Sequence, residues 1–92
     1  MLIKSITNGS VSSTGTITCE SGIVGGILLT TDNTNAAVVE LRRNSASGKK
    51  ILQVSTVTSM WISGPFSLEE TTQLYYSITG TGAAGQVFEW IY

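Results

Sequence analysis

The stretch Leu74-Tyr75-Tyr76-Ser77-Ile78-Thr79-Gly80-Thr81-Gly82-Ala83-Ala84-Gly85-Gln86-Val87-Phe88-Glu89-Trp90-Ile91-Tyr92 sets two runs of aromatic and β-branched residues on either side of a Gly-rich connection. Such runs suit the pleated, half-buried surface of a strand, and the Gly-rich connection between them predicts a β-hairpin with a longer loop at its tip. Side chains alternate along a strand, so Phe88, Trp90 and Tyr92 share one face and Val87, Glu89 and Ile91 share the other. One of those faces must be core. If the aromatic face is core, Glu89 stays in water, and Val87 and Ile91 are left available to a neighbouring subunit. If Val87 and Ile91 are core, Glu89 is buried with them and demands a partner such as Arg42 or Arg43. The first assignment is preferred. Tyr75 and Tyr76 pose the same choice, since one of them must point away from the core. This surplus of apolar side chains is the main argument from the residues for assembly, because an apolar outer face is more often a subunit contact than a sugar platform.

Outward from this stretch the chain continues as short strands punctuated by turn residues. Leu2 to Thr7 and Ser10 to Cys19 flank Asn8-Gly9, the pair that best supplies the two positive-φ residues of a type I′ turn, so these two strands are expected to pair. Val11, Ile17 and Cys19 fall on one face of the second of them. Ile23 to Thr31 is continuously apolar apart from Gly25-Gly26, which predicts a central strand covered on both faces with a backbone or a bulky ring lying against the glycines. Asp32-Asn33-Thr34-Asn35 is a cluster whose side chains cap their own backbone, and Ala36 to Arg43 then alternates with Ala37, Val39 and Leu41 inward. These two strands are expected to form a hairpin. Arg42, Arg43, Lys49 and Lys50 gather most of the positive charge around the loop 44–48, as a solvated tip or a contact to an acidic protein surface. Ile51 to Thr58 and Met60-Trp61-Ile62 follow. Pro65 cannot donate to a central ladder and marks a corner or an edge, with Phe66 and Leu68 plugging one end. Residues 1–92 therefore read as a single all-β domain, an antiparallel β-sandwich or jelly roll of seven to eight short strands.

The composition restricts the chemistry. Charged residues make up 12% of the chain against 41% apolar, so Ser, Thr, Asn and Gly must cover much of the surface. A net charge of −1 gives no electrostatic case for nucleic acid or an anionic membrane. The absence of histidine removes the commonest general base and the Ser-His triad. The single cysteine, Cys19, has no intramolecular disulfide partner and reads as a buried small residue rather than a reactive thiol. The six carboxylates are scattered, and the only adjacent pair, Glu69-Glu70, diverges on a strand or turn. No enzyme, cofactor or metal site is expected. The N-terminus has no signal-peptide pattern and no apolar run approaches the ~20 residues of a membrane helix.

Gly25-Gly26-Ile27-Leu28-Leu29-Thr30-Thr31, Ala37-Val38-Val39-Glu40-Leu41-Arg42, Ser47-Gly48-Lys49-Lys50-Ile51-Leu52, Gly64-Pro65-Phe66, Tyr75-Tyr76-Ser77-Ile78-Thr79-Gly80 and Val87-Phe88-Glu89-Trp90-Ile91 together carry a resemblance. From Ile23 onward the chain resembles small β-sandwich structural proteins of tailed bacteriophages, which decorate or cement capsids or sit at the base of head and tail fibres. The resemblance implies a non-enzymatic virion component, made in the host cytoplasm, that binds a lattice of major capsid or tail protein as a homo-oligomer, a trimer being favoured. No cofactor, nucleic acid or membrane is implied. The partner-binding residues expected on this basis are Arg42, Arg43, Lys49, Lys50, Trp61, Tyr75, Val87 and Ile91. The alternative is a glycan- or receptor-binding module of a phage fibre or tail, working through Trp61, Tyr75 or Tyr92.

Overall fold

The computed structural model describes residues 2–91. Eight strands form: β1 (Leu2–Ser5), β2 (Thr14–Thr18), β3 (Ile23–Thr30), β4 (Ala37–Arg43), β5 (Lys50–Thr56), β6 (Met60–Ser67), β7 (Gln73–Thr79) and β8 (Ala84–Ile91). They build two four-stranded antiparallel sheets, in the orders β1-β8-β3-β6 and β2-β7-β4-β5. The pairs β1–β8, β2–β7, β3–β6 and β4–β5 are nested within one another. The chain is thus one long antiparallel ribbon, folded over at the loop between β4 and β5, then rolled until β8 meets β3 and β7 meets β4. That is the strand order of a jelly roll, a β-sandwich in which every connection except β4–β5 passes between the sheets.

Period-2 alternation explains the core. Ala37, Val39 and Leu41 of β4 are fully buried, opposed by Val24, Ile27 and Leu29 of β3, with Leu74 and Ile78 of β7 and Val87 of β8 beside them. Cys19, Leu68 and Ala83 close the ends. Each fully buried Leu, Ile or Val contributes about 1.5–3 kcal/mol relative to exposure. Pro65 lies in β6, an edge strand, where its missing N–H faces no central ladder.

Three expected hairpins do not form. Asn8-Gly9 does not join β1 to β2, which lie in different sheets. Only Gly9 has positive φ there, at 73°, whereas a type I′ turn needs two such residues. The segment instead stays beside β8, with Ile6 N donating to Val87 O at 2.9 Å and Val11 N to Gly85 O at 2.8 Å. Residues 31–36 likewise arch from one sheet to the other. The self-capping expected of this cluster is present, since Asp32 Oδ1 accepts from the backbone N–H groups of Thr34 and Asn35 at 2.9 and 2.7 Å. The Gly-rich segment between β7 and β8 is a third arch and not a hairpin loop. Its glycines are required by close approach to the arch at 31–36. A Cβ on Gly80 would meet the Ala36 carbonyl, and one on Gly82 would lie 2.8 Å from the Asp32 side chain.

The preferred assignment of the faces of β8 is also reversed. Val87 is fully buried and Glu89 is only 4% exposed, while Phe88 and Trp90 lie half-buried on the outer face. Glu89 does not use Arg42 or Arg43. Its Oε1 accepts the backbone N–H of Ser21 at 3.0 Å, a donor that the turn after β2 brings in from the other sheet. Tyr92 lies outside the described residues. Of the tyrosine pair, Tyr76 packs against the core and Tyr75 points away from it.

Candidate functional site

The outer face of the β1-β8-β3-β6 sheet is built around the two adjacent glycines of β3. Gly25 is the extra residue of a bulge in the β3–β8 ladder. A Cβ there would meet the Trp90 indole, with Ile3 Cγ2 at 3.1 Å. A Cβ on Gly26 would meet the Trp61 ring, with the Ile62 carbonyl oxygen at 2.8 Å. The missing side chains let both indoles lie down on the strand, as expected of paired glycines in an apolar run. Phe88 stands edge-on to Trp61, with ring centroids 5.5 Å apart and planes at 62°. Such an aromatic pair adds about 0.5–1.5 kcal/mol beyond its buried area.

Register places further apolar residues beside these rings. Ile3 lies opposite Trp90, and Leu28 lies opposite Trp61 on one side and Gln86 on the other. Ile3, Leu28 and Trp61 are 48, 37 and 43% exposed. On this face Ser5 and Gln86 bond to each other at 2.9 Å and carry no charge. The result is an uncharged, ring-studded surface spanning all four strands of the sheet.

The residues singled out from sequence separate into three places. Trp61 belongs to this surface, and the outer face of β8 does too, although Phe88 and Trp90 supply it. Val87, expected outside, is core, and Ile91 is half-buried at the end of β8. Tyr75 lies on the outer face of the opposite sheet, in register with Arg42 and Thr16. The basic tip is partly neutralised, with two carboxylates set against its four cations. Arg42 Nε contacts Glu40 Oε1 at 2.6 Å, Lys50 Nζ approaches Glu40 Oε2 at 3.8 Å, and Arg43 pairs with Glu69 at 3.1 Å while also donating to the Ser67 carbonyl. The Arg42 side chain beside it holds the Glu40 carboxyl below its ordinary range. Lys49 is the tip cation that makes no ion pair among the described residues.

Ile3, Leu28, Phe88 and Trp90 were missed as surface residues. Gly25-Gly26 was the available signal, since it called for rings on β3 without saying which strands would deliver them. Elsewhere, Cys19 is fully buried and burial pushes its thiol up, which leaves it a packing residue. Among the described residues no three His, Cys, Asp or Glu side chains gather where a metal ion could bind. What this surface can do chemically is exclude water against a complementary apolar surface. Comparison of the chain with family models, with curated proteins and with solved structures finds no match.

Proposed function

We propose that this chain is a non-enzymatic structural protein of a tailed-bacteriophage virion, a capsid decoration or cement protein that acts as an oligomer, with a trimer favoured, on the lattice of major capsid protein. The observation that carries the proposal is the uncharged outer face of β1-β8-β3-β6, where Trp61 is 43% exposed against Phe88 while Leu28 and Ile3 extend the patch. A contiguous apolar surface of this kind is costly to leave in water and marks a contact. The resemblance of the residues from Ile23 onward to small phage β-sandwich proteins supports the same reading. The jelly-roll strand order supports it by analogy, because that architecture recurs in viral capsid domains.

Cryo-electron microscopy of purified particles of the encoding phage tests the proposal, with density for this fold expected on the shell through the Trp61 face. Absence of the chain from purified particles would sink it. The exposed Trp61 indole favours one other reading, a glycan-binding module of a fibre. A glycan array with the isolated chain separates the two, since a stable oligomer without sugar binding supports the first and a sugar-binding monomer the second.

A further inference from the structure

Glu89 is the only buried charged residue among those described. Its Oε1 accepts the Ser21 N–H at 3.0 Å, and Oε2 receives no hydrogen bond from a described residue. Oε2 is not sealed in the core, because no buried side-chain nitrogen or oxygen lacks a partner. It therefore keeps access to solvent, and Glu89 helps to line a cleft of about 320 Å³ together with Lys4, Glu20, Ser21, Trp90 and Ile91. Two carboxylates and one ammonium contribute to this lining. Lys4 is exposed on the edge strand opposite Glu89, and it forms no ion pair with Glu89 or Glu20.

With one oxygen of the Glu89 carboxylate held by Ser21 and the other open to solvent, a cation can take the place of water at the open oxygen, and such pairing is the condition under which a mostly buried charge is best tolerated. We infer that this cleft binds a cationic side chain, a lysine ammonium or an arginine guanidinium, presented by a partner protein. Trp90, whose indole lies on the apolar face, also lines the cleft. A partner seated on that face thus meets the cleft at its border, so that apolar contact supplies area and the cation supplies register. The identity of the presenting protein rests on the function proposed above. The chemistry of the cleft does not.

Titration of the ¹⁵N-labelled full chain with Nα-acetyl-arginine amide, Nα-acetyl-lysine amide and neutral Nα-acetyl-citrulline amide tests the inference, and the two cationic probes distinguish the sources. The Ser21 amide, which reports directly on Glu89, should shift saturably with at least one cation. A Kd on the order of 1 mM is expected, at the weak end of the affinity scale, with no response to citrulline. Glu89→Gln, which retains an oxygen to accept the Ser21 N–H, should weaken binding by about tenfold or more, the effect of losing a charge-assisted bond. Lys4→Ala should tighten it by removing a competing cation. Four results overturn the inference: no saturable shift in wild type, an equal response to citrulline, unchanged binding in Glu89→Gln, or binding seen only in Lys4→Ala, which would mean that Lys4 fills the cleft itself. Should Glu89→Gln not fold, the citrulline control and Lys4→Ala decide. A positive titration of a chain absent from virions would retain the cleft and discard the proposed function; a chain found on the shell that binds neither probe would do the reverse.

Discussion

The two outer faces of the sandwich share one architecture and differ in chemistry. On β2-β7-β4-β5 the outward positions carry Thr14 bonded to Ser77 at 3.0 Å, Glu40 contacting Arg42 and Lys50, and Tyr75 in register with Thr16 and Arg42. On β1-β8-β3-β6 they carry Ile3, Leu28, Trp61, Phe88 and Trp90, with Ser5 and Gln86 satisfying each other. The first face is suited to water, because it is polar and several of its groups already have partners. The second is finished only as far as its own rings cover one another. A fold whose stability needed only a shared core would have no use for this asymmetry, and the proposed function therefore uses the apolar face.

The largest expected effect sets the baseline by ignoring the asymmetry. Leu29 lies under the apolar face and Leu41 under the polar one, and both are fully buried. Leu29→Ala and Leu41→Ala should each lose about 2–5 kcal/mol in urea unfolding, since both open a cavity in the same core. A loss confined to one of them would mean that the sheets are stabilised separately. Next in size, Gly26→Ala should cost about 1–3 kcal/mol, because the new methyl meets the Trp61 ring and the Ile62 carbonyl oxygen and the ladder must shift to admit it. A neutral result would show that the ring does not lie on the strand in solution.

These residues also show which parts of the molecule could be read in advance. The alternation of Ala37, Val39 and Leu41 gave their burial directly, and Gly25-Gly26 gave the presence of rings, because both signals depend on local periodicity. Asn8-Gly9, residues 32–35 and the Gly-rich stretch before β8 misled for a common reason. Turn chemistry says that the chain reverses, and an arch between sheets uses the same residues as a hairpin within one. Which strand receives the chain is decided by long-range packing of apolar faces. Glu89 is the clearest instance. Its burial was expected to demand a partner such as Arg42 or Arg43, and the structure satisfies it with a backbone N–H 68 positions away. With Glu89 satisfied in this way, Val87 is core and the outer side of β8 carries Phe88 and Trp90, while Trp61 is exposed as its sequence position suggests.

The asymmetry itself is sharpened by a pair of surface substitutions. Trp61→Ser removes the edge-on contact with Phe88, worth about 0.5–1.5 kcal/mol, and with it the buried part of a half-exposed ring. If the proposed function holds, it should also abolish binding to particles that lack the chain. Arg42→Ala, on the other face, breaks the contact with Glu40 and should cost no more than about 1 kcal/mol, the usual range of surface ion pairs, with particle binding unchanged. Sedimentation of each variant with such particles reads the difference. Equal loss of binding in both would erase the distinction between the faces.

The smallest effect is a pH dependence carried by carboxylates away from the apolar face. The outward positions of the apolar sheet named above hold no carboxylate, whereas Glu40 sits beside Arg42, whose side-chain hydrogen bond lowers its pKa in the folded state. A carboxyl with a depressed folded pKa contributes stability that is fully present above its unfolded value and lost as pH falls through the folded one. The loss from Glu40 should therefore begin below about pH 4.3, the ordinary glutamate value, and continue downward. Asp32 behaves in the same sense, because the backbone N–H and side chain of Asn35 and the backbone N–H of Thr34 lower its pKa. Thermal unfolding followed across the acid range should show a shallower decline in Glu40→Gln than in wild type. Trp61→Ser should run parallel to wild type, displaced downward by a constant amount, because it removes packing and leaves the ionisable groups of the other face untouched. An altered slope in Trp61→Ser would mean that the apolar face is coupled to a titrating group.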